Sequence, residues 1–182
     1  MKREKTRAEG APEQAAENAP KKSALRAFLS LILKLALVAA IGWAALTFVF
    51  GVFRLSGNNM YPALKDGDLC VTYRLDPYAS DDVVAYLAHG GIRFGRIVAR
   101  VGDTVDGDEQ GLLVNGTYRS EEVFYPTEIL DTALELPLTL GEGQYVVLND
   151  HRTEQSDSRS YGVIREEDLQ GKVIFIFRRR GF

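Results

Sequence analysis

Apolar residues fall along this chain in two rhythms. Residues 27–53 are apolar almost without interruption, broken by Lys34 and a few small polar side chains, and residues 35–53 alone give about 19 uncharged positions, the length that crosses a hydrocarbon core as a helix. A cleaved signal peptide carries an apolar region of only about 7–15 residues, so the pattern predicts an uncleaved anchor. Lys34 can reach the interface along its stem, whereas Trp43 falls mid-span with no obvious anchoring role.

Beyond residue 54 short β-rich runs alternate with turn signals. Residues 69–73, 83–87, 92–101, 145–148 and 173–177 read as strands, with His89-Gly90-Gly91 as the turn between the second and third. Asn115-Gly116 separates Leu112-Leu113-Val114 from Thr117-Tyr118 and predicts a type I′ hairpin, because Asn-Gly accepts positive φ. Residues 119–137 keep no period and read as a surface excursion. The fold class is therefore mainly β, an antiparallel domain preceded by one transmembrane helix. Three parts follow: 1–23 a disordered cytoplasmic tail, too poor in large apolar side chains to fold; 24–53 the signal-anchor helix; 54–182 an extracytoplasmic β domain.

Charge orients this plan. The net charge is −3 over 182 residues, yet Lys2, Arg3, Lys5, Arg7, Lys21, Lys22 and Arg26 all precede the span, which places the N-terminus in the cytoplasm and the protein in the cell membrane as a single pass. The remainder is more acidic than the total, leaving no basic surface for nucleic acid. Arg178-Arg179-Arg180 reads as a solvated end or, alternatively, as a contact for anionic lipid. Cys70 is the single cysteine, which excludes an intramolecular disulfide and fits a small buried hydrophobe. His89 and His151 lie far apart, so no metal site is expected.

Three segments carry candidate chemistry. The first is Ser56-Gly57-Asn58-Asn59-Met60-Tyr61-Pro62-Ala63-Leu64, continued by Lys65-Asp66-Gly67-Asp68; the second is Gly95-Arg96-Ile97-Val98-Ala99-Arg100-Val101-Gly102-Asp103; the third runs from Asn149-Asp150-His151-Arg152 to Gln155-Ser156-Asp157-Ser158-Arg159. In order and spacing they resemble the boxes of type I signal peptidases: Gly-x-Ser-Met-x-Pro-Thr-Leu, Lys-Arg-Val-x-Gly-x-Pro-Gly-Asp and Gly-Asp-Asn-Arg-x-x-Ser-x-Asp-Ser-Arg. Ala63 and Val101 replace the usual threonine and proline.

The resemblance implies a serine endopeptidase with a Ser-Lys dyad, in which a desolvated, neutral lysine takes the serine proton. Here the nucleophile position holds Asn59, the general-base position Gly95 and the position beside the base Gln155. A carboxamide nitrogen, its lone pair delocalised, offers no attacking group, and glycine has no side chain. Met60, Pro62, Asp150, Arg152, Asp157, Ser158 and Arg159 are retained, and Asp157 with Arg159 is expected to form an ion pair. Met60, Tyr61, Val83 and Val84 are candidates for a cleft that takes an extended peptide at a sheet edge, and read equally well as core and strand residues.

A glycine at the lysine position and a non-nucleophile at the serine position resemble the signal-peptidase-like pilin assembly proteins of Gram-positive bacteria. That subgroup implies an inactive pseudo-peptidase whose partners are secreted precursors or pilins, or a sortase, with no cofactor. The alternative is an active signal peptidase with a non-standard nucleophile among Ser56, Ser156 and Ser158 and with Lys65 as base. A third reading makes Asn59 and Gly95 replacements in an otherwise active enzyme.

Overall fold

Backbone amides in an apolar run must find partners, and the chain solves this first with a helix and then with sheets. The computed structural model describes residues 21–108, 111–119, 127–129 and 132–178; the expected tail lies, but for its last three residues, outside them. Two units separate along the chain, 1–43 and 44–182. In the first, helix α1 (Lys21–Ala44) supplies most of an apolar stretch, Ala24–Val49, of 26 residues, long enough to cross a membrane.

The second unit begins with a π-helical turn, Ala45–Val49, and then departs from the expected anchor. Phe50–Arg54 is strand β1, paired antiparallel with β2 (Leu69–Tyr73) in the register Val52↔Val71. An apolar run does not distinguish a strand from the end of a helix. The domain continues with β3 (Val83–Ala88), β4 (Gly91–Ala99), β5 (Thr104–Asp108), β6 (Gly111–Val114), β7 (Thr117–Tyr118), β8 (Leu138–Thr139), β9 (Gln144–Leu148), α2 (Ser158–Tyr161), β10 (Ile164–Arg165) and β11 (Leu169–Phe177). Asn115 and Gly116 take positive φ in the β6–β7 hairpin, as their sequence predicts.

Seven strands order as β1-β2-β11-β3-β4-β9-β10 and four as β7-β6-β5-β8. β11 begins beside β3, Lys172 opposite Val84, and ends beside β2, Phe177 opposite Leu69. β4 is the spine of the core. Phe94 packs with Leu55, Met60, Leu64, Cys70 and Ala85; Ile97 packs with Val84, Tyr86 and Val147; Val98 and Ala99 join Val105, Leu112 and Leu148 beneath the smaller sheet. Burial pushes the Cys70 thiol up to about 11.

Two expectations change here. In the excursion at 119–137, Leu134 is buried and Ile129 and Leu136 pack against the core; these three short-range apolar positions serve tertiary packing and so show no local period. Arg178 is exposed, as expected of a solvated end, but it is also tied down: its guanidinium lies 3.1 Å from the buried Asp68 carboxylate and donates to the Ala63 carbonyl. Arg179 and Arg180 lie outside the described residues. The outer face of β1, β2 and β11 exposes Val52, Leu69, Phe175 and Phe177, an apolar patch of the kind that marks an interaction surface.

Candidate functional site

The three sequence boxes meet at β4. After β1 the chain turns through residues 55–68, held by Leu55 N–H to Asp68 O at 2.9 Å and Gly67 N–H to Leu55 O at 3.0 Å. This loop presents Asn59 beside β4. The Asn59 Nδ2 group donates to the Phe94 carbonyl at 3.2 Å and to Asn149 Oδ1 at 3.0 Å. A carbonyl only accepts, so the amide nitrogen must be the atom that faces Phe94. The Asn59 carbonyl accepts from His151 N–H at 2.9 Å.

Asn149 is fully buried. Its own amide nitrogen donates to the Glu154 carbonyl at 2.8 Å, which turns its oxygen toward Asn59. The signal was present: Asn149 stands where the third box of the resembling family has glycine, as Asn59 stands where the first has serine. The two carboxamides form one bridge between the first and third boxes.

Gly95 lies next to Phe94 on β4, opposite Val84 of β3. A Cβ placed on it would meet Val147 Cγ1 at 2.5 Å, the Leu148 carbonyl oxygen at 3.2 Å and Tyr86 Cε1 at 3.3 Å. Gln155 is exposed, and its carbonyl accepts from Asp157 N–H at 2.9 Å. The structure thus joins Asn59, the Phe94-Gly95 segment and Asn149, and leaves the Gln155 side chain on the surface.

The retained residues of the third box are buried and hydrogen-bonded. Arg159 and Asp157 are both buried and paired at 2.7 Å. Every guanidinium nitrogen of Arg159 has an acceptor: Nε takes Asp157 Oδ1, Nη2 takes Asp157 Oδ2 and the Glu154 carbonyl, and Nη1 takes the Arg152 and Glu128 carbonyls. Asp157 also accepts from Asn149 N–H and caps α2 through Arg159 N–H. Ser158 Oγ accepts from Val147 N–H at 2.9 Å. Arg96 forms a two-bond pair with Asp150, at 2.8 and 2.7 Å, which raises the guanidinium's pKa by hydrogen bonding against the opposing pull of burial. Arg152 is buried with Nη1 donating to Thr127 Oγ1, and burial pulls its pKa down to about 10.

The proposed cleft needs correction. Met60 and Val84 are completely buried, each within a core cluster, whereas Tyr61 and Pro62, next along the first box, are exposed. β3 bonds to β4 on one side and to β11 on the other, so Val84 lies within the sheet; partly buried Val83, one residue beyond the β11 pairing, remains. Among the described residues, no hydrogen bond links the alternative nucleophiles to Lys65. Ser56 is exposed, Ser158 Oγ is buried on the Val147 amide, and Ser156 Oγ accepts from Asn149 at 3.4 Å. Lys65 is exposed, its ammonium 5.5 Å from the centroid of the Tyr61 ring.

The loop has an acid-sensitive tie. Burial works to raise the Asp68 carboxyl, and the Arg178 hydrogen bond, the Lys65 amide and both positive charges outweigh it, so its pKa is lowered. A carboxyl depressed in the folded state contributes stability above its unfolded value of 3.8, and this is lost as pH falls through the folded value. Asp68→Asn is therefore expected to lower stability at pH 7 and to flatten the fall below pH 4, measured by urea unfolding at a series of pH values. An unchanged acid limb would remove this role.

A family model described as "Signal peptidase, peptidase S26" matches residues 26–178. Signal peptidase IB of Staphylococcus aureus (strain COL) is 27% identical over 169 residues, covering 82% of this chain and 88% of that protein. Signal peptidase I of Bacillus caldolyticus is 28% identical over 144 residues, covering 70% and 79%. Among solved structures, the crystal structure of a signal peptidase I from Enterococcus faecalis V583 is similar with a TM-score of 0.42 and 23% identity, covering 54% of this chain and 98% of that one.

Proposed function

The chain belongs to the signal peptidase family, peptidase S26, and from that premise we propose that it is a membrane-anchored member without the Ser-Lys dyad, a non-catalytic binding and assembly factor for exported proteins. The observation that carries this reading is the state of Asn59. Both N–H bonds of its carboxamide are committed, to Phe94 O and Asn149 Oδ1, and the residue at the base position has no side chain. Acyl transfer needs a deprotonated nucleophile with a base within about 3 Å. Neither group is available here, and loss of both members of such a pair leaves little rate to recover.

The support around the site argues for a retained binding role. The Asp157–Arg159 and Arg96–Asp150 pairs keep the loop and β4 in register, while Tyr61 remains 46% exposed at the mouth of the first box. A site so held can keep an extended chain without cutting it. The N-terminus is cytoplasmic on this reading, the β domain lies outside, and the apolar face of β1, β2 and β11 suits a domain resting on lipid. Clients are secreted precursors, pilins among them, with a sortase as the further partner.

The relatives named above are peptidases, and that activity is the rival outcome. Purified protein incubated in detergent with an exported preprotein is expected to leave it full length while an equal amount of a dyad-bearing family member processes it. Cleavage at one site, abolished by Ser56→Ala or Ser156→Ala, would establish a working peptidase and end the non-catalytic reading.

A further inference from the structure

The loss of a lysine base need not leave a hole, and around Gly95 it does not. The residue is buried between β3 and β9. The first atom that any side chain would add falls 2.5 Å from Val147 Cγ1, with the Leu148 carbonyl and Tyr86 Cε1 within 3.3 Å. Carbon atoms pack at about 3.5–4.0 Å, so Val147 must move before even a methyl fits. Val147 is β-branched, with a stiff χ1, and is completely buried beside Val84, Tyr86 and Ile97. The tyrosine contributes a second obstacle. Its ring borders the position, and its buried hydroxyl has no hydrogen-bond partner among the described residues.

We infer that Val147 and Tyr86 have closed the core over the base position, so that Gly95 is now required by packing and a lysine base cannot be regained by reverting the dyad alone. This deepens the non-catalytic reading and takes its functional meaning from it. Tyr86 and Val147 act as positioning residues: they fix the site in a form that can hold a chain but cannot accept a desolvated amine. The closure also separates two routes to inactivity. A mere point loss at Gly95 would leave room for the lost side chain, whereas a repacked core sets the volume against it.

The test is a double-mutant cycle on the full-length protein in detergent, with activity as a separate arm. Gly95→Ala is expected to lower the thermal midpoint by about 3–10 °C, the range for an overpacked core position. In a Val147→Ala background the same change should cost less than about 2 °C, because the clashing methyl has gone. N59S/G95K is expected to leave a preprotein uncut, whether it folds with a distorted core or fails to fold. The closure is overturned if Gly95→Ala shifts the midpoint by less than about 1 °C, if the cost is the same in both backgrounds, or if N59S/G95K cleaves site-specifically. The two readings fail separately: cleavage by the unmodified protein ends the non-catalytic reading while the cycle stands, and a flat cycle ends the closure while the unmodified protein stays inactive.

Discussion

Arg159→Met is expected to destabilise the β domain by about 3–5 kcal/mol, the cost of stranding one charge of a buried pair, and to lower its thermal midpoint by about 10–15 °C. Asp157 is left fully buried without its guanidinium partner, and the Arg152, Glu154 and Glu128 carbonyls lose their guanidinium donor. The damage reaches the site through Asp157, which also accepts from Asn149 N–H at 2.9 Å; Asn149 is in turn the partner of Asn59. A native domain commonly has about 5–15 kcal/mol to lose, so this one substitution removes a large share. Urea unfolding in detergent provides the measurement, with Arg165→Met as its control. Arg165 and Glu167 form an exposed pair at 3.5 Å, and exposed pairs contribute about 0–1 kcal/mol. Equal losses from the two substitutions would refute the assignment of Arg159 as the central tie of the site loop.

That contrast explains which parts of the molecule could be read from residues alone. Asn115-Gly116 encodes its turn locally, in two backbone conformations that few other pairs accept, and the strands at 69–73 and 145–148 carry enough β-branched and aromatic residues to declare themselves. β1 did not, since Phe50 to Phe53 continue an apolar run and become a strand only because Leu69–Tyr73 lies alongside to receive their hydrogen bonds. The exchange of partners along β11 was equally hidden: its pairing with β3 is irregular between Leu169 and Gly171, where Gly171, a residue that looks like ordinary strand punctuation, takes φ 114°. At the site, the altered positions were legible because each stands in a motif of fixed spacing. Asn149 also stands in such a motif, as an altered position, but what it does is relational: its amide matters because Asn59 sits 3.0 Å away. The buried placement of Met60 and Val84 was likewise undetermined by sequence, because an apolar residue suits a peptide cleft and a core alike.

Phe94→Ala is expected to cost about 3–5 kcal/mol, the usual toll of removing a buried aromatic ring, and to do so at the floor of the candidate site. Phe94 is 1% exposed and packs with Leu55, Met60, Leu64, Cys70 and Ala85, while its carbonyl receives the Asn59 amide. Truncation opens a cavity beneath the first box and leaves that backbone acceptor in place. Phe94→Leu, which keeps most of the volume, should cost less than about 1.5 kcal/mol. Cys70 supplies a local reporter, because it is the single cysteine of the chain and is fully buried in the same cluster. With its thiol raised to about 11, roughly 0.1% is thiolate at pH 8, so reaction with a disulfide reagent in the folded protein requires both opening and ionisation. The alanine variant should therefore be modified faster than the leucine variant under conditions where both remain folded. Equal rates together with a loss below about 1 kcal/mol would mean that Phe94 is not the packing link between Asn59 and the core, and that the loop stands on its hydrogen bonds alone.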